Sequence, residues 1–208
     1  MGSRSRRARS AEALSIAGAW RIESTVHRDP RGGIREWYRE SDLHESFAGC
    51  LRPRQATCSI NHRGALRGIS VSAGQVKQVT CVAGEILDVV VDVRIGSPTF
   101  GQWVMEHLDA TCGVSVHIGA GLGHAFLALT EGAVLTYLLS SEHDPHREVR
   151  VNPRDPEIAI AWPEDVEPIL SPRDAAAPTL RRCAQAGLLP THTTVPVLEP
   201  RQRPPDID

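Results

Sequence analysis

Residues 84–94 read GEILDVVVDVR. Leu87, Val89, Val91 and Val93 fall on one side of this run, and Ile86, Asp88, Val90, Asp92 and Arg94 on the other. A period of two rich in β-branched residues specifies a strand with one face in a core. The same alternation recurs further along. Residues 113–118 set Val114, Val116 and Ile118 against Ser115 and His117, and residues 133–139 place Ala133, Leu135, Tyr137 and Leu139 on one face. Short strands broken by glycine and proline predict an all-β chain, a sandwich or barrel. Helical windows are few, and residues 101–107 and 172–188 are the best of them.

Composition narrows the reading. A length of 208 residues sets one domain with tails. A core of that size buries roughly 70% of the unfolded surface, so no disulfide or metal staple is required. Lys and Arg number 23 against 25 Asp and Glu, a net charge of −2. No cationic field therefore draws a nucleic acid polymer or an anionic membrane. Aromatics at 4% leave little to stack on bases. Cys50, Cys58, Cys81, Cys112 and Cys183 are odd in number and form no CxxC. They are expected as small buried thiols in a reducing compartment rather than a disulfide framework or zinc ribbon. Lys77 is the sole lysine.

Residues 1–14 carry Arg4, Arg6, Arg7 and Arg9 without the apolar run of a signal peptide. They are expected as a basic flexible tail. Residues 15–181 form the domain. From 182 to 208, Pro190, Pro196, Pro200, Pro204 and Pro205 mark a Pro-rich C-terminal arm. No stretch reaches the 18 or so apolar residues of a membrane span, and the expected location is cytoplasmic.

Three cations point to a phosphate. Arg31 stands in the turn Asp29-Pro30-Arg31-Gly32-Gly33, Arg67 lies within a strand beside Gly68, and Lys77 lies on the next strand. A cation inside a strand needs a partner anion or a wet face. A diphosphate meets that need, and so do salt bridges to Glu36, Asp88 or Asp92. Proton transfer needs an acid and a base in reach of one substrate atom. His124 shares a strand face with Phe126. Tyr137 lies in an apolar strand, where its hydroxyl needs a partner, in a core or in a site. Asp174 reads as a helix-cap neighbour or as the orienting partner of a histidine. For metal the signal is poor. His143 and His146 are separated by Pro145, which opposes a helical pair, and no His-x-His occurs.

Taken together, these segments resemble the dTDP-4-dehydrorhamnose 3,5-epimerase family over about residues 20–180. Asp29-Pro30-Arg31-Gly32 through Glu36 is similar to D-x-R-G-x-F-x-E. Gln55 through Ala65-Leu66-Arg67-Gly68 is similar to Q-x-N-x-S-x-S-x-x-G-V-L-R-G. Lys77 followed by residues 84–94 resembles K-x-V-x-x-x-x-G-x-x-x-D-V-x-V-D-x-R, and residues 96–103 resemble G-S-P-T-F-G-x-W. Asp155-Pro156, Trp162-Pro163 and residues 171–174 complete the order. The resemblance implies a double-stranded β-helix, the cupin-type jelly roll, with a few short helices. It implies a homodimer that uses no metal or organic cofactor. The implied reaction removes protons beside the C4 ketone of a dTDP-linked 4-keto-6-deoxysugar and returns them on the other face, in deoxysugar or antibiotic biosynthesis.

The resemblance also assigns roles. Arg31, Arg67 and Lys77 would hold the diphosphate and the sugar or its enolate oxygen. Glu36, Gln55 and Glu148 would bind nucleotide or sugar, with Thr57, His143 and Arg173 beside them. His124 would line the pocket, Tyr137 would be the acid, and Asp174 would orient the base. The base position departs from the pattern: R-G-L-H is Arg67-Gly68-Ile69-Ser70 here, so Ser70 stands for the histidine. Thr57 stands for an asparagine, Ile34 for an aromatic and His143 for a tyrosine, and the two aromatic changes bear on nucleotide preference. A substitute base would be His124, or a water held by Ser70 and Asp174. The alternative is an inactive sugar-nucleotide-binding protein that assists a 4-ketoreductase; a metal cupin is a third reading. Finally, Arg67 and Ser70 are three apart, which in a regular strand sends them to opposite faces. For both to reach one pocket, a bulge is expected at Gly68.

Overall fold

The computed structural model describes residues 9–39 and 51–192. Strands dominate: β1 (Arg9–Ala13), β2 (Ala19–Ser24), β3 (His27–Asp29), β4 (Gly32–Ile34), β5 (Gln55–Asn61), β6 (Leu66–Ser72), β7 (Lys77–Ala83), β8 (Glu85–Val91), β9 (Trp103–Asp109), β10 (Val114–Ile118), β11 (Gly123–Ala128), β12 (Ala133–Leu139) and β13 (Glu148–Arg150). Two short helices follow, α1 (Pro172–Ala175) and α2 (Leu180–Gln185). A six-stranded sheet runs β1-β2-β10-β7-β12-β5, a five-stranded sheet runs β13-β6-β11-β8-β9, and β3 and β4 form a separate hairpin. Every strand pair is antiparallel. The two sheets close on a shared interior that includes Val79, Ile86, Val90, Val116, Phe126 and Leu135.

The decisive run is more buried than its alternation implies. Ile86, Asp88 and Val90 of β8 face the other sheet, while Val89, Val91 and Val93 pack outward. That outward face is covered by Ile158, Leu180, Cys183 and Leu189 from the C-terminal third. Burying one such aliphatic side chain contributes about 1.5–3 kcal/mol, so covering the second face is a large part of this sheet's stability. The expectation of one solvated face is corrected accordingly.

Three further expectations change. Residues 101–107 are no helix. Gly101, at φ +80, ends a turn, and β9 then pairs with β8 along its length. Trp103 and Met105 pack on the outer core, Val104 and Leu108 on the inner one. Residues 172–188 form two short helices because Pro178 interrupts them and Thr179 caps the second, accepting from Arg182 N at 3.3 Å. The described part of the C-terminal arm is ordered: α2 runs through Gln185, and His192 N donates to Ile95 O at 2.8 Å. At the other end, residues 9–13 of the expected tail form β1 against β2. Residues 1–8 and 193–208, with Cys50, lie outside the described residues. Cys58 is an exposed thiol, contrary to expectation, while Cys81 and Cys183 are buried. Among the described residues, no helix is long and apolar enough to cross a membrane.

The bulge at Gly68 is present. On β6, Arg67 pairs with Phe126 and Ser70 with His124, so three steps on one strand match two on the other. The slip reverses the alternation: Leu66, Ile69 and Val71 turn to outer cores, while Arg67 and Ser70 both reach the interior cavity. Glycine is required there. Gly68 sits at φ +109, and a Cβ would come within 2.4 Å of His124 O.

Candidate active site

A cavity of about 360 Å³ opens between the sheets. Its walls come from facing strands. Arg67 and Ser70 of β6 and His124 and Phe126 of β11 line one side; Gln55, Thr57 and Ser59 of β5, Lys77 of β7 and Tyr137 and Leu139 of β12 line the other. Strand β5 shows why the sequence makes a cavity here. Gln55, Thr57 and Ser59 turn polar groups inward, while Ile60 is left 74% exposed. An inward polar face cannot pack as core, and it remains wet. His143, Glu148, Arg150, Arg173 and Asp174 complete the rim.

The polar groups are tightly arranged. His124 Nε2 lies 2.7 Å from Asp88 Oδ1, with both side chains buried. The His124 ring meets Tyr137 edge-on, with centroids 5.9 Å apart, and lies 6.3 Å from Phe126. Burial pushes the Tyr137 phenol well above its ordinary range; Ser59 and Arg67 oppose the shift and Asp88 adds to it. Tyr137 is therefore a protonated donor at neutral pH. Lys77 Nζ donates to Ser70 Oγ at 3.2 Å. Burial lowers the Lys77 ammonium to about 8; Glu148 and Asp88 act against this and Arg150 with it.

Asp174 is placed by its helix cap. Ser171 caps α1, accepting from Asp174 N at 3.0 Å and donating to Asp174 Oδ2 at 2.9 Å, with Pro172 entering the first turn. The partner of Asp174 is Arg150, whose Nη1 donates to Oδ1 at 3.0 Å. Arg150 also pairs with Glu148 Oε1 at 2.5 Å, and Glu148 Oε2 lies 3.5 Å from His143 Nδ1. Gln55 ties down the rim, accepting from His143 N at 2.8 Å and donating to Thr57 Oγ1 at 2.9 Å.

The fold thus gathers Gln55, Thr57, Arg67, Ser70, Lys77, His124, Tyr137, His143, Glu148, Arg173 and Asp174 around one cavity. It does not bring Arg31 or Glu36 there. Arg31 caps the β3–β4 hairpin, paired with Asp29 at 2.5 Å and 90% exposed. Glu36 pairs with Arg39 on the segment that crosses the back of the six-stranded sheet, where Arg35 Nη2 donates to Cys81 O at 2.8 Å. The salt bridges considered for the strand cations are not the ones formed: Arg67 Nε donates to Asn61 Oδ1 at 2.8 Å, and Asp88 serves His124. Ser59, Gln75 and Arg150 were not singled out from the sequence, and Asp88 entered only as a salt-bridge partner for the strand cations. Asp88 carried a signal, since a carboxylate between Ile86 and Val90 on a buried face needs a partner. Arg150 carried another: Glu148 and Arg150 alternate with Val149 and Val151. Among the described residues, no group of three His, Cys, Asp or Glu side chains is placed to hold a metal ion.

Comparison with known proteins identifies the family. Residues 13–182 match the family model described as dTDP-4-dehydrorhamnose 3,5-epimerase. The chain is 50% identical over 182 residues to a dTDP-4-dehydro-6-deoxyglucose 3-epimerase of Streptomyces bikiniensis, covering 86% of this chain and 93% of that one. It superposes on ChmJ, a 3'-monoepimerase from the same organism solved with dTDP-quinovose. The TM-score is 0.83 at 51% identity, covering 86% of this chain and 91% of that one. The TM-score is 0.86 against NovW, a 4-keto-6-deoxy sugar epimerase from the novobiocin cluster of Streptomyces spheroides. That match is at 43% identity and covers 88% of this chain and 94% of that one. The chain belongs to the dTDP-4-dehydrorhamnose 3,5-epimerase family.

Proposed function

We propose that the protein epimerises a dTDP-linked 4-keto-6-deoxyhexose at one or both of the carbons, C3 and C5, that flank the ketone. The observation that carries this reading is the juxtaposition of a protonated Tyr137 with basic groups on the facing wall of one cavity. A proton beside a ketone is acidic because its loss leaves an enolate. Inversion then needs a base on one face of the carbon and an acid on the other. Tyr137 is the acid. Arg67 and Arg173 are exposed at the rim and suit a diphosphate, whereas Lys77, His124 and Asp88 are buried and suit the sugar.

The same reading makes the protein a homodimer. Arg31 and Glu36 lie outside the cavity of their own protomer, on a segment that leaves Ile34 74% exposed. Dimerisation through this segment would bring them to the partner's nucleotide. Light scattering that gives one chain mass would remove this part.

Ser70 at the base position, with Asp174 held by Arg150, favours a second reading: a sugar-nucleotide-binding protein without turnover that assists a 4-ketoreductase. Product analysis separates the two. Protein incubated with dTDP-4-keto-6-deoxyglucose and then reduced should yield sugars inverted at C3 or C5 by proton NMR. Calorimetric binding of dTDP with no inverted product would favour the second reading.

A further inference from the structure

Lys77 is the sole lysine of the chain, and it is 7% exposed. No carboxylate among the described residues forms an ion pair with it. A buried ammonium whose burial outweighs the nearby charges of Glu148 and Asp88 gives up its proton more readily than a free lysine. Its Nζ reaches across the cavity to Ser70 Oγ on the facing sheet. In the neutral amine this contact reverses direction: the Ser70 hydroxyl donates to the Nζ lone pair.

Resting on the epimerase reading, we propose that Ser70 and Lys77 together form the base of the reaction. Ser70 Oγ takes the proton from the carbon beside the ketone as its own hydroxyl proton passes to Lys77 Nζ. The C–H electron pair becomes the enolate double bond, and the negative charge comes to rest on the C4 oxygen. Lys77 ends as an ammonium. Tyr137, on the opposite wall from Ser70, gives its phenol proton to the other face of the carbon. The proton on Lys77 then returns to the tyrosinate through solvent. No oxidant, reductant or further reactant is consumed.

One feature favours this pair over His124: the His124 ring packs on Tyr137, the acid, and a base in contact with the acid is poorly placed to work the opposite face of the carbon. Arg150, the cross-strand neighbour of Ser70, favours neutral Lys77, while Glu148 opposes it more strongly. The titratable or charged groups that share the cavity with Lys77 are Arg67 from β6, His124 from β11, Tyr137 from β12, Glu148 and Arg150 from β13, and His143, Arg173 and Asp174 at the rim; the charge of Asp88 on β8 also acts on it. The adjoining strand positions, Ile118 and Leu139, are apolar. Burial outweighs the two carboxylates, and the ammonium sits at about 8.

The experiment is the rate of deuterium wash-in from deuterium oxide into dTDP-4-keto-6-deoxyglucose between about pH 6 and 10. It is run on the full chain and on Ser70→Ala, Lys77→Arg, Lys77→Met and His124→Gln, with dTDP calorimetry as the check on folding. Wild-type wash-in should rise to a plateau with a midpoint near 8. Ser70→Ala should be slower by about 10²-fold or more at the plateau. Lys77→Arg and Lys77→Met should still bind dTDP, lose a similar factor and lose the midpoint; either one folded suffices. Ser70→Ala at the wild-type rate, or Lys77→Arg with the midpoint intact, overturns the pair. A midpoint lost in His124→Gln but kept in Lys77→Arg moves the base to His124. Wild-type protein without wash-in at either carbon overturns the epimerase reading itself, and this inference with it.

Discussion

Arg150 holds Asp174. The two side chains meet at 3.0 Å, and Arg150 is also the cross-strand neighbour of Ser70, the position where the family resemblance puts a histidine. The carboxylate implied to orient that histidine is therefore committed to a guanidinium. It follows that Ser70→His alone places an imidazole without its partner. The double variant Ser70→His/Arg150→Ala frees Asp174 to orient it. Wash-in near pH 7 should be about tenfold faster in the double variant than in Ser70→His, the scale of a well-placed base partner. Equal rates would mean that Asp174 plays no part.

Arg150→Ala by itself should lower stability. Glu148 and Asp174 side chains are 4% and 6% exposed and would lose their cation. Removing one partner of a buried pair costs about 3–5 kcal/mol. Because Arg150 is itself 22% exposed, about 2–3 kcal/mol is expected here. Urea titration measures it.

Gly68→Ala should damage stability and site together. A positive φ on a residue with a side chain costs about 1–3 kcal/mol before any clash, and here the added Cβ meets backbone at 2.4 Å. A register slip that relieves the clash would turn Arg67 or Ser70 out of the cavity. The variant should melt lower and bind dTDP at least about tenfold more weakly, the equivalent of roughly 1.4 kcal/mol.

Tyr137→Phe should separate the two halves of the reaction. The base remains, so wash-in with retained configuration persists. The inverted product should fall by about 10²–10⁴-fold, the usual worth of a positioned acid. Loss of wash-in and inversion in equal measure would show that Tyr137 acts before the proton leaves.

Acid stability should fall in two stages. Burial lowers His117 from 6.5 to about 4, so the folded state resists a proton that the unfolded chain accepts. That stability is complete above about 6.5 and is lost as pH falls to about 4, on the order of 3 kcal/mol. Asp92 accepts from Arg94, Ser97 and Thr99, which outweigh the opposing effect of burial and hold its carboxyl down at about 2. Its contribution, on the order of 2 kcal/mol, is lost between about pH 4 and 2. His117→Asn should flatten the first stage and Asp92→Asn the second, as read by melting temperature against pH.

Much of this was legible in residue order. The alternation at residues 84–94 placed β8, and the spacing of Arg67 and Ser70, with the family resemblance that puts both in one pocket, implied the bulge that the structure has. Residues 101–107 misled because Trp103, Val104 and His107 also satisfy a helical spacing; pairing with β8, not local propensity, makes them a strand. The second buried face of β8 was invisible because its cover comes from Leu180, Cys183 and Leu189, far along the chain. In the site, single residues could be assigned by pattern, but the pairs could not. Nothing in the order of residues joins Asp174 to Arg150 or Lys77 to Ser70, since the first contact joins helix α1 to β13 and the second joins facing strands of the two sheets.

The most direct test of the account is solvent exchange by the unaltered protein. Incubated with dTDP-4-keto-6-deoxyglucose in deuterium oxide at about pH 8, it should place deuterium at C3, at C5 or at both, well above a protein-free control, as followed by NMR. Protein that binds dTDP by calorimetry yet leaves both carbons fully protonated would contradict the claim that this cavity moves protons at all.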